Sequence, residues 1–289
     1  LANRLTIAGI IQSTQKDTAV MDEGIVASTS GSSRVIPLRI SEKLVVPQYL
    51  EQTYWWAYLH PKGVRFFERQ WLVNLILWGN FARLRDAALA ECGAELEGRT
   101  LQVACVYGDF TPRLAQRLAT GARLDVIDVA PVQLENLRSK LDGTTNVHLH
   151  HQDSTALCFA DGEFDQVILF FLLHEQPDEV RRKTVCEAMR VVKPGGKVIF
   201  VDYHRPSLLN PFRYVMIPIL YFLEPFALNL WKQNILSWAM DCCAMRQSAH
   251  SLTCIGRVQQ ETYFGGLYQK VVLQRLPLPS EKNAEAHPG

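Results

Sequence analysis

The strongest constraint on the fold is an alternation of two hydrophobic periods between residues 97 and 202. Thr100–Cys105 is a short apolar run of the kind found in a strand buried on both faces. Val106–Phe110 then reads as a tight turn around Gly108, and Thr111–Thr120 as a helix with Leu114 and Leu118 on one face. Leu124–Val129 reads as the next strand. Pro131–Leu141 reads as a helix with proline at its first position, where the missing N–H costs nothing. Val147–His150 and Phe164–Phe170 are further strands, Asp178–Val191 a helix, Lys193–Lys197 a turn and Val198–Asp202 a fifth strand. Strands that alternate with helices imply a parallel sheet with right-handed crossovers, an α/β Rossmann-like domain.

The flanks are different in kind. Residues 44–96 carry four of the six Trp, in Tyr54–Tyr58 and Phe66–Trp78, with apolar residues at helical spacing. They are expected to form a helical cap. Residues 203–276 are expected to be an aromatic, mostly helical extension that ends in a hairpin over Gln259–Leu273, turning at Phe264–Leu267, and completes the sheet. Residues 1–43, polar and without periodicity, and residues 277–289 are expected to be tails. Met21 is a candidate start. Arg4 and Lys16, with no acid before Asp17, fit a transit segment.

Composition excludes some functions. Lys+Arg number 30 against 29 Asp+Glu, so the net charge is +1 and no basic surplus points to nucleic acid. The seven Cys are scattered without a C-x-x-C pair, which predicts reduced thiols and neither a disulfide framework nor a zinc site. Cys242 and Cys243 are expected to pack in a helix. The most apolar stretch, Phe212–Trp231, contains Arg213, Pro218, Glu224 and Pro225, so it is expected to lie on a membrane or line an apolar pocket and not to span.

Ligands of such sheets sit beyond the carboxyl ends of the strands. Gly108 lets backbone approach a ligand closely. Asp128 ends the second strand about 20 residues later, where an acid can accept both ribose hydroxyls. Asp153 follows the third strand, placed for an adenine amine, with Ser154 beside it. Each alone is more often a solvated or capping residue; together, in order, they predict a nucleoside site.

The segments Thr100–Thr111, Gln152–Ser154 with Phe159–Asp165, Met189–Gly196, and Asp128 resemble the ubiquinone/menaquinone C-methyltransferases. That resemblance implies the class I S-adenosylmethionine (SAM) methyltransferase fold, with Asp128 at the ribose and Asp153 at the adenine. It also makes Ala104, Val106, Asp109 and Ser154 candidate cofactor contacts. The first motif departs from the family: Gln102 stands where an acid usually holds the amino group of SAM, Val106 where a glycine is usual, and Tyr107 where a threonine is usual. Thr53–Leu59, Leu72–Asn80 and Val103–Asp109 instead resemble the RquA-type rhodoquinone biosynthesis proteins, departures included. This second resemblance implies replacement of a ubiquinone ring methoxy by an amino group, SAM as amino donor, and a divalent metal, manganese.

A free α-amine has a pKa of about 8. An adjacent carboxylate would favour its charged form, and Gln102 removes that bias. Tyr107, His174 and Glu175 are the candidate catalytic residues. Asp109, His174 and Glu175, with Asp202 and His204, are the candidates for a hard metal. His148, His150 and His151 look like a cluster, but strand alternation divides them between faces. A ubiquinone substrate implies peripheral membrane contact, on the cytoplasmic side of a bacterial inner membrane or in a mitochondrion, with Arg205, Arg213 and Lys232 facing headgroups. The rival readings are a quinone methyltransferase and a quinone-binding scaffold without activity.

Overall fold

The computed structural model describes residues 38–39, 44–141, 144, 146–246 and 255–276. The expectations for the remaining positions, including the start at Met21, the transit segment, the C-terminal tail and Cys254, lie outside the described residues.

One sheet organises the chain. Its strands are β1 (Leu38–Arg39), β2 (Arg99–Val103), β3 (Arg123–Asp128), β4 (Val147–His151), β5 (Phe164–Phe170), β6 (Val192–Tyr203), β7 (Ile255–Tyr263) and β8 (Tyr268–Arg275). Their order is β1-β4-β3-β2-β5-β6-β8-β7, parallel except for β8 and β7, which run antiparallel at one edge. The reversal between β2 and β5 leaves a crevice at the carboxyl ends of those strands, where such sheets bind ligands.

Strict alternation explains how two layers of helix cover this sheet. Ile168, Phe170, Ile199 and Val201 point into one apolar core, with α4 (Phe81–Cys92), α5 (Phe110–Ala115) and α6 (Pro131–Lys140). Val167, Leu169, Val198 and Phe200 point into the other, with α7 (Asp178–Val191) and α10 (Ile235–Arg246). Burying each such side chain contributes about 1.5–3 kcal/mol.

The expected cap residues form α1 (Gln48–Thr53), a π-helical turn (Trp55–Leu59), α2 (Pro61–Phe67) and α3 (Gln70–Ile76), followed by α4. The extension forms α8 (Phe212–Leu223), α9 (Ala227–Leu230) and α10, then the hairpin β7–β8.

Four expectations are corrected. The helix predicted over Thr111–Thr120 stops at Ala115, because Leu118 leaves to bridge Leu96 and Arg117 and Ala119 exchange backbone hydrogen bonds with Leu96. The predicted turn Lys193–Lys197 belongs to β6, with an irregular register opposite Phe164–Gln166 and Gly195 at φ +83° absorbing the bend. Leu38–Arg39, placed in the tail, pair in parallel with β4, whose outer edge offers unpaired backbone groups. Cys186 and Cys242 are joined by a disulfide that staples α7 to α10, and Cys243 is also disulfide-bonded. Scattered spacing hid the pairing because the partners are 56 residues apart and meet only when the two helices pack.

Candidate active site

The crevice holds a partly open cleft. Its floor is the carboxyl ends of β2 and β3, with Ala104, Cys105 and Asp128; Asp153 and Ser154 line one wall, and Tyr49, Tyr58 and Glu175 another.

Asp128 is buried at the end of β3. Its Oδ2 accepts from Cys105 N–H at 2.8 Å and its Oδ1 from Ala130 N–H at 2.8 Å. Burial pushes its pKa up against these two hydrogen bonds. The Cys105 thiol also hydrogen-bonds to it, and a carboxylate has about four lone-pair directions, so acceptor capacity remains for a ligand hydroxyl. Asp153 accepts from Thr155 N–H at 2.7 Å, which fixes its side chain on the cleft wall. Ser154 Oγ lies 2.9 Å from Thr184 Oγ1 and accepts from Gln176 Nε2 at 3.1 Å. Ala104 takes φ +72°, a left-handed conformation that costs an alanine strain and tightens the turn below the cleft.

Gln102 is fully buried. Its Nε2 donates to Ala104 O at 2.9 Å, and its buried Oε1 has no partner among the described residues. An unsatisfied buried acceptor costs about 1–3 kcal/mol; Gln102 is not one of the residues that line the cleft.

The turn beyond it is closed by the cap. Gly108, at φ +81°, donates its N–H to Glu68 Oε1 at 3.0 Å, and a Cβ there would meet the Phe81 ring at 2.9 Å. Lys140 Nζ donates to Glu68 Oε1, Val106 O and Gly108 O at 2.9, 3.2 and 3.0 Å. Glu68 carried no signal in the sequence; it gains its place when α2 packs on α6. Tyr107 does not line the cleft. It stacks between Tyr58 and Phe67, donates to Ala57 O at 2.6 Å and accepts from Gln133 Nε2 at 2.8 Å. It therefore seals the cap onto the turn and does not reach the cleft as a catalytic group.

His174 and Glu175 follow β5 in a single 3-10 turn (Leu173–Glu175). Asp202, at the end of β6, accepts from the backbone N–H groups of Leu173 and His174 at 2.8 and 3.3 Å, and its Oδ1 lies 3.0 Å from His174 Nδ1. Burial alone would lower the pKa of His174; Asp202 outweighs it and pushes it up to about 9. Glu175 faces the cleft with Tyr58 Oη donating to its Oε1. Burial drives its pKa up to about 8, opposed by His174 and reinforced by Glu224. Both shifts favour the protonated form, the imidazolium through its contact with Asp202 and the carboxyl through burial. Glu224, which sequence reading treated as a charge interrupting an apolar run, joins from the end of α8; burial pushes it up as well. Arg181, wholly buried, donates to Leu173 O at 2.7 Å and Gln176 O at 2.8 Å, and so fixes the loop that carries the pair.

Of the expected metal ligands, His174, Glu175 and Asp202 lie together, with His174 3.0 Å from Asp202 and 3.8 Å from Glu175, whereas Asp109 and His204 are held elsewhere. Asp109 sits at the start of α5 in an ion pair with Arg85, at 2.9 and 2.8 Å, and with Arg113 at 2.5 Å. Burial opposes, but those partners hold its pKa below the usual carboxylate range. His204 Nδ1 lies 2.8 Å from Gly266 O. Among the described residues no three acidic, histidine or cysteine side chains are arranged to hold an ion. Manganese therefore does not fit the predicted set, and no step below uses it. Of the three strand histidines, His150 binds buried Asp125 at 2.6 Å and His151 lies 3.0 Å from Val129 O.

Residues 100–196 match the Methyltransferase domain family. Over 137 residues the chain is 31% identical to a demethylmenaquinone methyltransferase of Staphylococcus aureus, a match over 47% of this chain and 56% of that protein. The chain thus spans little more than half the length of the curated relatives it matches. Among solved structures it is similar to phosphoethanolamine N-methyltransferase 2 of Haemonchus contortus in complex with SAM (TM-score 0.54, 12% identity, 82% of this chain and 61% of that one). It is also similar to a possible exported protein of Bordetella parapertussis (TM-score 0.53, 13% identity, 79% and 85%). The strand order, the acid-ended second strand and these matches agree on the fold: the sheet is of the class I SAM-dependent methyltransferase type, and residues 100–196 are similar to methyltransferase domains.

Proposed function

We propose that the chain binds SAM in this cleft and acts on a quinone, and that it transfers the amino group of SAM in place of its methyl group, as in rhodoquinone formation from ubiquinone. Asp128 would take the ribose and Asp153 the adenine. The observation that carries the reading is Gln102: a neutral, buried acceptor with an open Oε1 stands where an acid would pin the amino group as ammonium. Glu175 supports it. Its pKa of about 8 matches that of a free α-amine, about 8, so a proton can pass between them near neutral pH.

In the proposed step the amine nitrogen bonds to the methoxy-bearing ring carbon, and Glu175, ionised in the reactive fraction, takes the N–H proton. The carbon–oxygen bond then breaks, the electron pair leaves with methoxide, and the proton passes to it to give methanol. The residues of the cleft account for this adduct and its formation; the later cleavage that leaves nitrogen on the ring is assigned to none of them.

A methyl transfer to a quinone carbon is the second reading, favoured by the likeness to the demethylmenaquinone methyltransferase. Mass spectrometry of a short-chain ubiquinone, incubated with the protein and SAM bearing heavy nitrogen at its amino group, separates them. A labelled aminoquinone supports amination. A short-chain demethylquinone with a free ring carbon is run beside it, because every ring carbon of ubiquinone is already substituted; conversion of that quinone alone, to its C-methyl product, overturns amination. SAM binding without turnover would favour the scaffold.

A further inference from the structure

An apolar face lies outside the cleft. In α8, Met216 and Leu220 are buried, while Tyr214, Val215, Ile217, Ile219, Tyr221 and Phe222 are exposed, Phe222 at 79%. At about 100° per residue the exposed positions sweep roughly two thirds of the helix circumference. Beside it, α3 exposes Trp71, Leu75 and Ile76. Trp78 ties the two together: its Nε1 lies 3.0 Å from Met216 Sδ, and its ring packs on Phe212 at 5.1 Å. Cap and extension, about 140 residues apart in the chain, thus present one surface.

We infer that this α3–α8 face docks on an anionic lipid bilayer. Three observations choose that occupant. First, a protein partner covers one side of a helix, whereas a fluid medium wets the whole arc that α8 leaves open. Second, the charges are of one sign. Residues 69–85 and 203–223 contain no Asp or Glu, while Arg69 and Arg205 are exposed and Arg213 is half-buried at the start of α8. Anionic headgroups meet such a rim favourably. Third, the face carries exposed Trp71, Tyr214 and Tyr221, residue types that settle at the headgroup level. Among the described residues no helix is long and apolar enough to cross a membrane, so contact from one side is the mode this face allows. The end of α8 leads towards the cleft: Phe226, just beyond it, packs on Tyr49 at 6.2 Å, and Tyr49 lines the cleft wall. The face is independent of which group is transferred.

The test is flotation of the full chain with vesicles of phosphatidylcholine, alone or mixed with phosphatidylglycerol. The wild-type protein is expected to float with the mixed vesicles and to be released by salt. The Leu75→Glu/Phe222→Glu variant, changed only at exposed positions, is expected to lose roughly 10- to 100-fold of the binding with an unchanged melting temperature. Should that variant fold poorly, quenching of Trp71 fluorescence by brominated lipid in the wild-type protein, absent in Trp71→Phe, reads the same contact. Failure of the wild type to float, or flotation of the folded variant at full strength, overturns the proposal. A wild-type dimer without lipid that the variant converts to monomer would do so too, since the face would then join two copies.

Discussion

Two buried aspartate–histidine pairs sit in the same sheet, and they differ in the charges that surround them. Asp125, in β3, contacts His150 at 2.6 Å, Arg99 at 2.8 Å and Arg123 at 2.6 Å. Burial would raise its pKa; His150 and the two arginines win and hold it well below the usual carboxylate range. Asp202, in β6, contacts His174 at 3.0 Å and, among the described residues, makes no ion pair with an arginine, although buried Arg181 feels its charge; Glu175 and Glu224 are the other charges acting on that histidine. One acid is saturated with cations and has no reason to exchange a proton. The other belongs to a set with more acids than cations, and such a set keeps a proton to give or take near neutral pH. The same pair of residue types is structural in one setting and poised for chemistry in the other.

The most severe way to break this contrast is Glu175→Gln. On the proposed reading it removes the group that exchanges the proton, and turnover is expected to fall about 10²- to 10⁴-fold. Stability is expected to hold or rise, because ionising Glu175 in the fold is unfavourable. A parallel measurement of initial rate and melting temperature checks both. A variant with full activity would leave the acid-rich pair without a chemical role.

Asp125→Asn should do the reverse. It strands Arg123 and leaves Arg99 only its pair with Glu163, and removing one partner of a buried ion pair costs about 3–5 kcal/mol. Arg99 and Arg123 keep some solvent contact, so the lower end of that range is expected. Chemical denaturation measures it, and SAM affinity of the folded protein should stay within about twofold of wild type, since nothing of this cluster lines the cleft.

The two pairs were unequally legible in the sequence. Asp128 and Asp153 could be nominated because strand ends and their spacing indicate where a ligand of such a sheet would sit, and both line the cleft. His174 and Glu175 could be nominated because they follow a buried strand. Asp202 could be listed, but its hold on the Leu173 and His174 amides depends on β6 lying beside β5. Tyr58 and Glu175 meet across 117 residues, and Asp125 and His150 across 25, through register alone. No local period encodes such contacts. Tyr107 was misplaced for the same reason: its stacking partners lie in a cap whose docking the sequence does not specify.

A smaller effect distinguishes the pairs by pH. His174 in the fold titrates near 9, above its ordinary 6.5. The stability it supplies is therefore complete below 6.5 and is lost as pH rises through about 9. Asp125 in the fold titrates below the ordinary carboxylate value, so its contribution is complete above that value and is lost as pH falls. Melting temperature against pH should thus decline on two limbs. The alkaline limb is shared with Glu175, whose pKa is raised from 4.5 to about 8 and which also makes stability fall as pH rises. His174→Gln is expected to make the alkaline limb shallower and leave the acid limb, and Asp125→Asn to flatten the acid limb and leave the alkaline one.

The finest test concerns Gln102, which lies under the cleft between the two pairs in the sheet. Gln102→Glu restores the acid at the amino group of SAM without changing side-chain size. The new carboxylate would keep the amine charged, so SAM should bind as well or up to about tenfold tighter while amination at neutral pH falls. The loss should shrink as pH rises and the amine deprotonates, giving a rate profile displaced to higher pH. Equal loss at every pH would mean that Gln102 only holds Ala104 in its turn, through the 2.9 Å hydrogen bond, and that the amine is deprotonated elsewhere.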